Sequence, residues 1–509
     1  MNISAQKLPE RAGLRAWCAL AVLATTAVLV MMNMSILYLA LPTISKALAP
    51  SGAQILWIMD AYGLVIAGSL ITMGALSDRF GHRRLLLVGS AIFAGASVLA
   101  ACAPNPSTLI AARSLQGLGA AALAPTSLAL IKAIFHEPGQ RTLAITIWMV
   151  GFLVGGAIGP VIGGLVLTYF AWTAVFLLFV PAMVVLICTA PMLIPSQRSC
   201  RAAELDFQSA LLSILTPPLI VLSIKQTTLS GFDALTVVAL LTALFLTAVF
   251  FRRQSRLARP FLPLSILQDR TCALLLVGMT LVGAILFGTS LITSQYLQLV
   301  FGFTPLKAGL WQLPGATINA VLAVWVSTLT ARYRPQVLMA VGTLVALAGP
   351  LLLLLGGQDP LVLVAGSAFL LAGLTPFMSL GTGVFLQAVP EGSAGSASAI
   401  TETGAELGAA LGIAVFGSLA TSAYRTYMAD RLTGDLPDKV SIAALETLAG
   451  AISSAEMLPV DQNAVLVSLA REAFSSSLYI HALTLLPVVL SLSLIALTLP
   501  GKTQCNRTP

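Results

Sequence analysis

Gly155-Gly156-Ala157-Ile158-Gly159-Pro160-Val161-Ile162-Gly163-Gly164 puts five glycines and a proline into ten residues, inside an apolar run from about Arg141 to Tyr169. In water this composition breaks a helix, because glycine carries an entropic penalty and proline lacks an N–H. In a bilayer it is tolerated, and small side chains let helix backbones approach closely. The stretch therefore predicts a membrane helix that bends or packs tightly against a neighbour.

The rest of the chain agrees. Of 509 residues, 58% are apolar and 9% charged, against about 25% charged in a soluble domain. Apolar runs fall near residues 17–41, 54–75, 84–103, 107–130, 142–168, 172–194, 208–225, 234–251, 271–298, 306–330, 336–356, 360–386, 396–421 and 477–499. Each is close to the length a bilayer requires. They predict an all-α polytopic membrane protein with 14 spans and both termini on one side. The run over 17–41 is too long for a signal peptide and reads as the first span. With the N-terminus inside, 19 of the 27 Lys and Arg fall in inner loops, seven in outer loops, and Arg113 within a span. That is the expected positive-inside bias, so the termini are expected in the cytoplasm. It also accounts for the +8 net charge without nucleic acid, since no basic stripe interleaved with aromatics occurs. Residues 422–476 form a long external loop, in which Val440–Ala455 has helical apolar spacing suited to an amphipathic or re-entrant hairpin.

The chemistry sits in charges that a membrane disfavours. Asp60, Arg113, Glu402 and Glu406 lie within spans. An ionisable group at that depth costs several kcal/mol unless paired or wetted, so it marks a functional site. Glu402 and Glu406 are four apart and share a helix face. Carboxyls in low dielectric can take up and release protons, and a buried guanidinium stays charged and needs oxygen partners. The loop Gly74-Ala75-Leu76-Ser77-Asp78-Arg79-Phe80-Gly81-His82-Arg83-Arg84 offers Gly81 for a tight turn, and Asp78 for a helix cap or a breakable arginine pair. The histidines and cysteines are scattered, without a CxxC or other metal-ligand spacing, and no phosphate-binding Gly-x-x-x-x-Gly-Lys-Ser/Thr loop is present. No metal, cofactor or ATP is expected, and a membrane enzyme would need a catalytic cluster that these residues do not supply.

Three of these pieces together resemble the major facilitator superfamily: the Gly74–Arg84 loop, Arg113 with Gln116 and Gly117, and the Gly155–Gly164 run. More narrowly the chain is similar to the 14-helix drug:proton antiporter branch and its bacterial quaternary ammonium exporters, through Leu56-Trp57-Ile58-Met59-Asp60-Ala61-Tyr62 and Ala405-Glu406-Leu407-Gly408. The resemblance implies a six-helix bundle over 1–194, two extra helices within 195–270, and a second six-helix bundle over 271–509. It implies proton-coupled efflux of hydrophobic cationic or neutral drugs from a bacterial inner membrane, by a monomer whose partners are substrate, protons and lipid. Asp60, Arg113, Glu402 and Glu406 would couple protons to transport. Gly74, Asp78, Arg79, Gly81 and Arg83, with Gly155, Gly159, Pro160, Gly163 and Gly164, would form the conformational gate.

Tyr38, Trp57, Tyr62, Trp148 and Trp311 are candidates for the substrate cavity, as flexible or aromatic faces suit varied apolar substrates. Asn33 and Asn319 join them as departures: they stand where relatives in this branch carry acids, and asparagine keeps hydrogen bonds but loses the charge. Weaker export of divalent organic cations is the expected consequence. An exporter dedicated to one metabolite or self-made antibiotic fits the same residues.

Overall fold

The structure, a computed structural model, describes residues 12–194, 206–230, 234–257, 268–330, 332–356, 359–388, 394–432 and 436–499. All regular structure among them is helical. The spans are α1 (Leu14–Leu48), α2 (Gly52–Phe80), α3 (His82–Ala101), α4 (Pro106–Ile134), α5 (Pro138–Tyr169) and α6 (Thr173–Leu193, interrupted at Leu178). They continue with α7 (Phe207–Ser230), α8 (Ala234–Gln254), α9 (Arg270–Gln295, prolonged by a π-turn to Val300), α10 (Pro305–Leu329), α11 (Pro335–Leu355), α12 (Pro360–Ala388) and α13 (Ala394–Arg431). Two short helices, α14 (Asp438–Glu446) and α15 (Leu448–Ala455), precede α16 (Val460–Thr498).

Thirteen of these are long and apolar enough to cross a bilayer. The fourteenth expected span is α7, whose apolar part, Gln208–Ile224, is shorter and contains Pro217 and Pro218. The last two spans also run further than their hydropathy suggests: α13 continues to Arg431 and α16 starts at Val460, so much of the expected loop over 422–476 is helix. Hydropathy marks contact with lipid, whereas helical hydrogen bonding continues past it. Where the chain does turn, side chains satisfy the exposed helix N–H groups. Ser51 and Gln54 form a capping box on α2, and Asn105, Glu137, Asp269 and Thr304 cap α4, α5, α9 and α10.

Two apolar cores result. Leu23, Ile36, Phe93 and Phe176 belong to the core of α1–α6. Val282, Phe377, Phe385 and Leu485 belong to the core of α9–α13 and α16. The halves meet along two seams, α2 against α13 and α5 against α10. Helix α7 lies over the first seam, touching both α2 and α13, with α8 packed on α7. Leu64, Val221, Ala410 and Ala414 form a small separate core there.

Candidate functional site

The opening glycine run serves three surfaces at once. Gly155, Gly159 and Gly163 recur every fourth residue and face α1: a Cβ on Gly155 would run into the Val28 backbone, on Gly159 into Ser35, and on Gly163 to 3.1 Å from Ile36. Gly164 and Pro160 face α10. A Cβ on Gly164 would lie 2.7 Å from the Pro305 carbonyl, and one on Gly309 would press on the Pro160 carbonyl. Gly156 and Pro160 line a cavity between the halves. Pro160 lacks an N–H, so the Gly156 carbonyl has no helical donor on that wall.

That cavity, about 340 Å³, is walled by α1 and α5 on one side and by α9, α10 and α12 on the other. Met31, Phe152, Leu153 and Ala157 make the first wall apolar, while Ser290, Gln312, Asn319 and Thr375 give the second a polar stripe. Of the seven residues expected to line a substrate cavity, Tyr38 and Asn319 line this one. Trp57 packs beside the Leu64–Val221 core. Trp148 is buried, donating to Ser127 Oγ at 3.0 Å, and Trp311 stacks on Phe303 with ring centroids 5.5 Å apart. Asn33 and Tyr62 point to Arg113 instead.

Arg113 is fully buried on α4. Its hydrogen bonds go to neutral oxygens: Asn33 Oδ1, Gln116 Oε1 at 3.0 Å and the Ile58 carbonyl at 3.4 Å. The guanidinium carbon sits 4.4 Å from the Tyr62 ring centroid, and the Tyr62 hydroxyl donates to the Val30 carbonyl at 3.0 Å. Gln116 in turn donates to Ser97 Oγ at 2.8 Å. Asn33 thus positions the arginine through its carbonyl oxygen, a job a short amide does without adding charge.

Asp60 is buried on α2, with Gly63 one turn on. A Cβ on Gly63 would be 3.6 Å from Glu406 Oε2, which places that carboxylate of α13 against α2 across the seam. Glu406 Oε2 has no hydrogen-bond partner in the protein. Asp60, Glu406 and Arg113 all lie within electrostatic reach of Tyr38. Glu402 is one turn from Glu406 on α13 and acts on it electrostatically. Glu406 therefore sits at the α2–α13 seam with Glu402 a turn away, Asp60 is on α2 and Arg113 on α4, and none of these three helices contributes a lining residue to the cavity.

The loop after α2 is differently placed. Gly81 turns the chain with φ 94°, a left-handed value suited to glycine. Arg83 donates to the Ile194 carbonyl at 3.0 Å, within its own half, and Arg79 is exposed beside Phe80. A Cβ on Gly74 would meet nothing within 4 Å. The Asp78 side chain lies outside the described residues.

Two polar clusters were not anticipated. At the end of the bundle where α1 ends and α16 begins, Glu446 before α15 accepts from Gly52 N at 3.1 Å and pairs with Arg425, while Lys46 pairs with Glu456 at 2.8 Å. These contacts fasten the first half to the α14–α15 segment. At the opposite end Arg253 binds both Asp206 oxygens, at 2.9 and 2.7 Å, joining α7 to α8. That hydrogen bonding lowers the Asp206 carboxyl to a pKa of about 2. No local pattern links residues so distant in sequence.

Two helical halves around a shared cavity, with buried charges at the seam between them, define a multi-pass membrane protein of the transporter type. The chain belongs to the Major Facilitator Superfamily, whose family model matches residues 23–413. It is 38% identical to the multidrug efflux pump LfrA of Mycolicibacterium smegmatis, over 91% of this chain and 92% of that one. It is 32% identical to the methyl viologen resistance protein SmvA of Salmonella typhimurium, over 90% and 93%. In fold it is similar to the crystal structure of a bacterial homologue of the human lysosomal transporter Spinster, with TM-score 0.68, 16% identity and coverage of 96% and 98%.

Proposed function

We propose that this protein is a proton-coupled exporter of hydrophobic toxic compounds in a bacterial inner membrane, with the termini in the cytoplasm. The observation that carries the coupling is Glu406 of one half set against α2 of the other, beside Asp60 and Arg113. Neutralising a carboxylate at a seam changes the cost of opening that seam, because an ion in low dielectric is expensive and a neutral acid is not. Protonation from outside favours release of substrate, and deprotonation inside resets the pump. The two halves, 1–194 and 271–509, then rock about the α2–α13 and α5–α10 seams, with the glycine run as the close-packed bearing. The efflux and resistance functions of the two relatives support the direction of transport. No cofactor is needed, and one chain contains both halves.

The test is uphill dye transport in inverted membrane vesicles from a pump-deficient host, energised by an imposed pH gradient without ATP. Transport should stop on adding a protonophore and in Asp60→Asn or Glu406→Gln. Uphill transport persisting without the gradient would remove the coupling. A panel of unrelated compounds separates a broad pump from an exporter dedicated to one.

A further inference from the structure

The cavity and the carboxylates are neighbours, but they do not share residues. Among the described residues, none of the cavity-lining side chains is an acid, a lysine, an arginine or a histidine. Asp60, Glu402 and Glu406 are on α2 and α13, and Arg113 is on α4, whereas the walls come from α1, α5, α9, α10 and α12.

The hydrogen-bonding capacity left over on the polar wall is specific. Asn319 Oδ1 accepts from the Thr375 hydroxyl, which divides its single proton between it and the Leu371 carbonyl at 2.7 Å, and the Asn319 NH2 remains to donate. Gln312 spends its NH2 on the Ala308 carbonyl at 3.1 Å, so Oε1 remains to accept. The two are seven residues apart on α10, two turns along one face. Opposite, Tyr38 lines the cavity from α1, while its hydroxyl is buried and lies within electrostatic reach of Asp60, Glu406 and Arg113.

We infer that the cavity is a site for uncharged amphipathic molecules carrying a carbonyl-type acceptor and an N–H or O–H donor, and that substrate and proton do not compete for one carboxylate. The acceptor takes the Asn319 amide, the donor takes Gln312 Oε1, and the apolar body rests on Met31, Phe152 and Leu153. A cation entering this site gives up hydration and gains no counter-ion on the wall. The inference rests on the exporter reading for its physiological meaning, but binding can be measured without transport.

The experiment uses the full-length protein in lipid nanodiscs and two dansyl amides that differ only in the tail, one ending in an N-ethylacetamide and the other in a trimethylammonium. Dissociation constants come from dansyl fluorescence. The acetamide probe should bind about tenfold more tightly than the cationic one, the size of one well-formed hydrogen bond to a site that otherwise leaves polar groups unpaired. Asn319→Leu and Gln312→Leu should each weaken the acetamide probe by about fivefold to tenfold with little change for the cation. Asn319→Asp should narrow the preference. Asp60→Asn and Glu406→Gln should leave the acetamide constant within about twofold, as for sites without shared contacts. Tighter binding of the cation, or loss of acetamide binding in the carboxylate variants, overturns the inference, as does failure of the acetamide probe to bind at all. Intact, selective binding with no proton-driven movement of either probe in proteoliposomes would instead sink the exporter reading and leave the site assignment standing.

Discussion

Gly155 and Gly156 are adjacent, both helical and both on α5, yet alanine at the two positions should have opposite effects. A Cβ on Gly155 would lie 3.0 Å from both Val28 C and Val28 Cα and closer still to the carbonyl oxygen. All three atoms are backbone, so no rotamer change relieves the overlap; α1 and α5 must part. A Cβ on Gly156 would meet only Met31 Cγ, at 3.5 Å, an ordinary contact with a flexible side chain. Alanine in a helix gains about 0.5–1 kcal/mol over glycine at either site. Overpacking at Gly155 costs about 1–3 kcal/mol, and the neighbouring contacts of Gly151 and Gly159 on the same face are disturbed with it. The net expectation is that Gly155→Ala is destabilised by up to about 2 kcal/mol and Gly156→Ala is unchanged or stabilised. The assay is the thermal midpoint of purified protein in one detergent, followed by intrinsic tryptophan fluorescence. Gly155→Ala with a midpoint equal to or above that of Gly156→Ala would refute the close-packing argument for the run.

Asp206→Asn should destabilise the protein at neutral pH by breaking the bidentate pair with Arg253. Because the Asp206 pKa is lowered to about 2 from an ordinary carboxyl value of 3.8, its stabilisation is complete above that ordinary value and is lost as pH falls through the folded value. The midpoint difference between wild type and variant should therefore be flat from neutral pH to about 4 and shrink only below it; shrinkage beginning near pH 6 would reject the assignment. Gly68→Val should loosen α7 from α2, since a Cβ there would be 2.6 Å from the Ser213 carbonyl, and should raise proteolytic cutting around α7; unchanged cutting would count against the seam packing. Lys46→Ala should alter stability by less than about 1 kcal/mol, its pair with Glu456 being mostly exposed, whereas a short bismaleimide joining Lys46→Cys to Glu456→Cys, in a background lacking the native cysteines, should arrest transport. Full transport after confirmed cross-linking would mean that this end need not open.

The helices were legible because membrane burial writes itself into composition. An apolar run of bilayer length has few other uses, and the arginine distribution then orders the runs. The same logic failed at the edges. Residues 422–431 and 460–476 are polar enough to read as loop, but they leave lipid without leaving the helix, so α13 and α16 run on. Charges at membrane depth were equally visible, since the cost of burying Arg113 or Asp60 does not depend on knowing their neighbours. What each charge faces does depend on the neighbours. Asn33 and Asn319 look alike in the sequence, as amides within apolar helices. The structure separates them: Asn33 accepts from Arg113 through Oδ1 with its NH2 buried and unpartnered, and Asn319 lines the cavity. The difference lies in which face of α1 meets α4 and which face of α10 meets the space between the halves. Rotation of one helix against another is set by close contacts such as the Val28 backbone on Gly155, and that is information shared between distant residues. A residue substitution at either asparagine thus carries a different meaning. Adding a charge at position 33 would offer Arg113 a carboxylate and tighten the α1–α4 contact, while adding one at position 319 would place it in the cavity. Asn33→Asp should accordingly change the gradient dependence of transport with little change in probe preference, and Asn319→Asp the reverse. Measuring both variants with the matched dansyl probes decides the point: equal shifts in selectivity would mean that the two amides act on the same site after all.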